Sequence, residues 1–194
     1  MNEMIEKMLS RHAIRRFKKE QITEDELNQV LIAGLYAPSA GNNQYSRIVV
    51  CQDAELNDKL GRLNRWAQFK DKAPEKVAHS ISAEQPSIQD DFTIMSGYYN
   101  APTVLTIFTK NHKYCYEDAA MIGENMLLAA HFLGLGACYV GRTDEVFATE
   151  FGMACRKKWG IPDDMVAVSN VLLGYIDGNP PHDKPRKPDR IVRA

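Results

Sequence analysis

Arg11 and Arg15 stand four residues apart near the amino end of this 194-residue chain, within the basic run RHAIRRFKK (11–19). A second basic run, KPRKPDRIVR (184–193), carries Lys184 and Arg186 near the other end. Guanidinium forks match the oxygens of a phosphate, so the two runs make one anion site if the fold brings them together. The spacing turns Arg11 and Arg15 the same way if that stretch is helical. His12 and Ala13 between them are not the residues of a solvated charge run, whereas Arg16, Lys18 and Lys19 read as surface. Other chemistry has less behind it. His112 and Cys115 have a spacing that a metal uses, but two ligands do not make a structural site. His131 sits in an apolar stretch and reads as a hydrogen-bonded core histidine. No Gly-x-Gly-x-x-Gly follows the first strand, no P-loop or His-Glu-x-x-His occurs, and no local motif supports a Cys/His nucleophile.

The elements that must position these residues follow from periodicity. ITEDELNQVLIAGLYAP (22–38) opens with a capping box, Thr23 and Glu26, and continues with apolar residues at helical spacing. Pro38 ends that helix. The segment after it, YAPSAGNNQ (36–44), has the vocabulary of a turn, and reads either as a connector or as a loop that grips a ligand through its backbone. RIVVCQ, PTVLTIFT, GACYVG and MVAVSNVLLGYI read as buried strands. Leu56, Leu60, Leu63 and Phe69 mark an amphipathic helix, and EDAAMIGENMLLAAHFLG reads as a central buried one. Thr143 is the expected cap of one further helix that Gly160 and Pro162 close. Residues from about 65 to 100, interrupted by Pro74, Pro86 and Gly97, read as an irregular, lid-like excursion from a single domain spanning 1–194. Helices interleaved with strands predict mixed α/β layers.

Composition excludes some partners. The chain is 44% hydrophobic and 25% charged with a net charge of −1, so no global field recruits nucleic acid or an anionic membrane. Four cysteines lie far apart and read as buried thiols. The most apolar run is too short to span a membrane, and the first residues have no apolar stretch of the signal-peptide kind. The expected location is cytoplasmic.

RHAIRRF, APSAGNNQ, LGLGACYVG and LLGYIDGNPPHDKPRK occur in the order seen in the FMN-dependent nitroreductases, and the chain resembles that family over most of its length. The resemblance implies an α+β fold, with a mostly antiparallel central sheet flanked by helices, and an interlocked homodimer with two FMN molecules at the subunit interface. It implies that Arg11 binds the FMN phosphate, with His12 and Ala13 adding contacts, and that Arg15 faces the pyrimidine edge of the flavin. Pro38, Ser39, Ala40 and Asn42 resemble the loop that reaches the flavin from the partner subunit. Val140 and Gly141 resemble the dipeptide whose amide points at N5, and Lys184 and Arg186 the C-terminal phosphate pair. Asn64 is a further candidate contact, with Gln68 as its alternative. Two departures stand out: Ala13 where the family often has serine, and NQYSR in place of Asn-x-Gln-Pro-Trp.

The activity so implied is a ping-pong transfer of electrons from NAD(P)H to a small electron-poor acceptor such as a nitroaromatic or quinone. FMN carries the redox chemistry, Arg15 and Gly141 tune it, and no metal or side-chain nucleophile is called for. Ene reduction, dehalogenation, or flavin binding without turnover are the alternatives on the same fold.

Overall fold

Thr23 starts the first long helix, α2 (Glu24–Leu35), by the reciprocal pair expected: the Glu26 amide donates to Thr23 Oγ1 at 3.2 Å, and the Thr23 amide donates to Glu26 Oε2 at 2.8 Å. A shorter helix, α1 (Glu3–Leu9), precedes it. The computed structural model describes residues 1–79 and 82–194. Along the chain then come β1 (Arg47–Cys51), α3 (Ala54–Phe69), β2 (Thr103–Lys110), α4 (Cys115–Phe132), β3 (Gly136–Val140), α5 (Thr143–Phe147), α6 (Glu150–Lys158) and β4 (Met165–Gly174).

The strands form one sheet in the order β1-β2-β4-β3, each pairing antiparallel. Because β2 and β4 are central and covered on both faces, they are apolar almost throughout instead of alternating. Leu105, Ile107, Val171 and Leu173 face α2 and α4. Val104, Phe108 and Leu172 face the opposite layer, with Leu60 and Leu63 of α3 and Val146 and Phe147 of α5. The fold is therefore α+β in three layers. α2 lies close on α4 because Gly34 has no side chain: a Cβ there would stand 2.5 Å from Met126 Cε.

Two expectations need correction. The single helix foreseen from Thr143 to Gly160 is two, α5 and α6, with Thr149 capping the second by accepting from the Gly152 amide at 3.1 Å. Thr143 is not a cap; it is the first helical residue, and its hydroxyl is turned into the core toward Asn170. The N-cap position belongs to Arg142, in the left-handed region at φ 59°.

Helix α3 runs to Phe69, the last residue of the apolar face foreseen for it, and the irregular excursion follows. It contains single 3-10 turns at Pro74–Lys76 and Ile88–Asp90, while Ser80 and Ile81 lie outside the described residues. Its return leg is fastened to α3, where the Gly97 amide donates to the Gly61 carbonyl at 2.8 Å. Asp91, 1% exposed, holds the middle: it accepts from the Thr93 amide at 2.9 Å and lies 2.7 Å from His79 Nδ1. Burial pushes the Asp91 carboxyl up, but the bonds from Thr93 and His79 outweigh it and leave the carboxyl below its ordinary value. A depressed carboxyl favours the folded state above its unfolded pKa, near about 4, and loses that contribution as pH falls through the folded value. Acidification below about pH 4 should therefore expose the excursion to proteolysis before the sheet unfolds. Pepsin digestion followed by mass spectrometry checks this; equal cleavage of sheet and excursion at every pH would contradict it.

Candidate functional site

The backbone from Arg11 to Lys18 is not helical, which corrects the geometry expected for Arg11 and Arg15. It runs along the free edge of β3 and the end of β4. The Ile14 amide donates to the Ala137 carbonyl and the Lys18 amide to the Tyr175 carbonyl, both at 2.9 Å, and Phe17 bridges to Ile176. Ile14 is buried beneath it, and Ala13 packs at the edge of the core that includes Cys138. Arg11 and Arg15 thus reach β3 through edge pairing and not through helical spacing. Both act on Cys138: burial pushes that thiol up, and the two guanidinium charges oppose the rise without overcoming it. Such a thiol stays protonated and is a poor nucleophile.

Asn64 is 3% exposed and donates from Nδ2 to the Gly141 carbonyl at 2.8 Å. This bond ties α3 to the turn that leaves β3. Gln68, one helical turn on, makes no such bond among the described residues. Beyond Val140 the chain turns sharply through Gly141 and the left-handed Arg142. No atom lies within 4 Å of where a Cβ on Gly141 would stand, so this backbone faces open space. A flat molecule can come up against it.

The loop APSAGNNQ is positioned from a different direction. The Ala40 amide donates to Asp118 Oδ1 at 2.9 Å, and the Gln44 amide donates to Ser39 Oγ at 3.1 Å. Gly41, Asn42 and Gln44 all have positive φ, a conformation for which Gly and Asn are suited. Pro38 and Asn42 are exposed. Among the described residues the loop makes no hydrogen bond to β3 or to residues 11–15, so one protomer does not unite it with the Arg11–Asn64–Gly141 cluster. Asp118, missed in the sequence, was detectable. It shares the buried stripe of α4 with Ile122 and Met126, where a carboxylate needs a donor.

The two basic runs meet in part. His12 Nε2 lies 2.9 Å from Asp183 Oδ1, which brings the tail to the N-terminal segment one residue before Lys184. Lys184 and Arg186 are exposed and, among the described residues, form no ion pair with that segment; Arg186 lines a groove made only of residues 186–191. His131 is half-buried, not fully in the core, with Nε2 at 2.9 Å from Ser10 Oγ; burial holds its pKa down. His112 approaches Asp118 at 3.4 Å.

The sequence model of the Nitroreductase family matches residues 8–175, a span that includes the edge segment, the loop and the Gly141 turn. The chain belongs to the nitroreductase family. The chain superposes with a TM-score of 0.84 on the crystal structure of a nitroreductase with bound FMN from Bacteroides fragilis, 26% identical, with all of both chains covered. It is 28% identical to an NADPH-flavin oxidoreductase of Vibrio harveyi over 99% of its own length and 73% of that protein. It is 25% identical to an oxygen-insensitive NADPH nitroreductase of Salmonella typhimurium over 99% of its length and 73% of that protein. No helix among the described residues is long and apolar enough to cross a membrane.

Proposed function

We propose that this nitroreductase is an FMN-dependent oxidoreductase that moves electrons from NAD(P)H to a small electron-poor acceptor, the two substrates using one site in turn. The observation that carries the reading is the open backbone at Gly141 with Asn64 bonded beneath it and two arginines on the adjoining edge. The donor set suits FMN: Arg11 for phosphate, Arg15 for the electron-rich pyrimidine edge, and a glycine turn that a flat ring can approach. When bound, FMN supplies hydride chemistry at N5. Asn64 is then a positioning residue that holds the Gly141 peptide. Val140 and Gly141 present the amide, and His12 and Ala13 line the phosphate end. Lys184 and Arg186 would close that end if the tail, already touching His12, folds further in.

The second half of the site comes from a second copy of the chain. What supports this is the apolar surface one protomer leaves exposed. Helix α1 buries none of its own residues, and Met4, Ile5, Met8 and Leu9 are 42–59% exposed. Seven residues are too few for a helix to persist in water unaided, so α1 needs a surface to pack on. Ile32, Leu35 and Tyr36, just before the loop, are 56–86% exposed. A homodimer that covers these residues would carry Pro38, Ser39, Ala40 and Asn42 to its partner's Gly141.

The purified protein should elute as a yellow dimer whose flavin absorbance bleaches on addition of NADH or NADPH. Colour should return when a nitroaromatic or a quinone is added under nitrogen. A yellow protein that neither nicotinamide bleaches would be a passive flavin binder, and a flavin-replete monomer would sink the shared site.

A further inference from the structure

The chain between α2 and β1 is laid back along α4 and clasped to it at three points. Asn125 Nδ2 donates to the Ala33 carbonyl at 3.0 Å, and Asp118 Oδ1 accepts from the Ala40 amide at 2.9 Å. His112, just before α4, sets its ring edge-on to that of Tyr45, with centroids 5.7 Å apart. Ala33, Ala40 and Tyr45 thus meet Asn125, Asp118 and His112 in turn. The loop APSAGNNQ lies between the outer two clasps.

Asp118 is the central clasp. It stands about two helical turns from Asn125, on the same face of α4. Its second oxygen, Oδ2, lies 3.4 Å from His112 Nε2, so one carboxylate touches both the loop and the ring that backs the loop's far end. Asp118 is 5% exposed, and among the described residues the Ala40 amide is the hydrogen-bond donor to its side chain. A carboxylate that deep adds little net stability over an apolar residue of its size, so its use is in what it orients. Ala40 in turn governs the loop. The Asn43 amide and Asn43 Nδ2 both donate to the Ala40 carbonyl, at 3.2 and 2.7 Å. Gln44 holds a left-handed conformation that persists only under constraint.

We propose that Asp118 is a positioning residue for the flavin site. Through Ala40 it aims Ser39 and Asn42 at the flavin of the partner subunit, a role that rests on the shared-site reading above. Because the clasp stands on a helix of the loop's own subunit, the loop is delivered already shaped, and little ordering is left for the flavin to drive.

Fluorescence titration of flavin-free protein with FMN and with riboflavin tests the role. Asp118→Ala should weaken FMN binding about tenfold, the scale of a lost hydrogen bond to a charged group. Riboflavin should lose as much, because the loop meets the ring and not the phosphate. Asp118→Asn keeps an oxygen for the Ala40 amide and should stay within about threefold of the parent. If Asp118→Ala does not fold, Ala40→Pro removes the same bond from the loop side and must weaken binding likewise. Ser39, at φ −133° and ψ 155°, has the extended backbone that a following proline requires. A mixed dimer of one Asp118→Ala chain and one Arg11→Ala chain then locates the effect. One of its sites combines an intact Arg11 with an intact loop, so it should hold one FMN at the parent's affinity, which neither homodimer does. A dimer of the double variant with the parent has no such site and should hold none that tightly. FMN binding unchanged by Asp118→Ala, weakened equally by Asp118→Asn, or weakened for FMN but not riboflavin overturns the positioning role. Weakening of both flavins without recovery in the mixed dimer overturns delivery to the partner, and strikes the shared-site reading while the clasp itself stands.

Discussion

Asn170→Ala should lower the unfolding free energy by about 3–5 kcal/mol, the sum of several buried hydrogen bonds and a small cavity. Asn170 is fully buried at the middle of β4, opposite Val140 of β3. Its Oδ1 accepts from Thr106 Oγ1 at 2.8 Å, and its Nδ2 lies 2.9 Å from Thr143 Oγ1 and 3.0 Å from the Tyr98 hydroxyl. One side chain thereby joins β2, the excursion's return leg and the first turn of α5. Truncation leaves three buried hydroxyls short of a partner where water cannot reach them. Burial already pushes the Tyr98 hydroxyl's pKa well up, a sign of how dry this region is. Thr109→Val is the matched control, since Thr109 Oγ1 is buried and has no hydrogen-bond partner among the described residues. It should change stability by less than about 1 kcal/mol in either direction. Urea melts of the three proteins decide, and a penalty for Asn170→Ala no larger than that for Thr109→Val would mean the network contributes nothing.

That network also explains what could and could not be read from the residues. Strands β2 and β4 were legible because a sheet covered on both faces needs unbroken apolar runs, which TVLTIFT and MVAVSNVLLG supply, whereas RIVVCQ, read as buried, is the edge strand β1 with Cys51 its one buried residue. The cap at Thr23 was legible because its partner lies three residues away. Thr143 offered the same local signal, but a side chain 27 residues distant competed for its hydroxyl and won. The break between α5 and α6 carries no glycine or proline to announce it. Arg11 and Arg15 were expected to face one way only if their stretch were helical; it is an extended edge instead, because the Ile14–Ala137 pairing spans over a hundred residues and leaves no local trace. The bond from Asn64 to the Gly141 carbonyl likewise joins residues 77 apart and leaves no local trace. The loop's destination was the least legible of all. Its local shape follows from its glycine and asparagines, but its contacts in one protomer lead to Asp118 and away from Gly141.

Arg11→Ala should weaken FMN binding by roughly ten- to a hundredfold, as expected for a lost hydrogen bond to a charged group. Riboflavin, which has no phosphate, should bind the variant and the parent almost equally. The reduction potential of bound FMN should stay where it was, because the phosphate carries the same charge before and after reduction. Arg15→Ala should do the opposite. The pyrimidine edge gains charge only on reduction, so a guanidinium there favours the reduced form and its loss lowers the potential. Two unit charges in contact at about 4 Å, with an effective dielectric near 20, interact by roughly 4 kcal/mol. With about 30 mV per 1.4 kcal/mol for a two-electron couple, the ceiling is on the order of 90 mV. Arg15 is exposed in the protomer, so solvent screening should reduce the shift to a few tens of millivolts. Loss of the Tyr99 contact accompanies the substitution, and Tyr99→Leu, which removes that contact while keeping the charge, should leave the potential nearly unchanged. Reductive titration against a reference dye at saturating FMN separates the two arginines. Equal shifts from both would overturn the separate roles of the two arginines, and a larger one from Arg11 would mean that the phosphate and pyrimidine ends have been assigned the wrong way round.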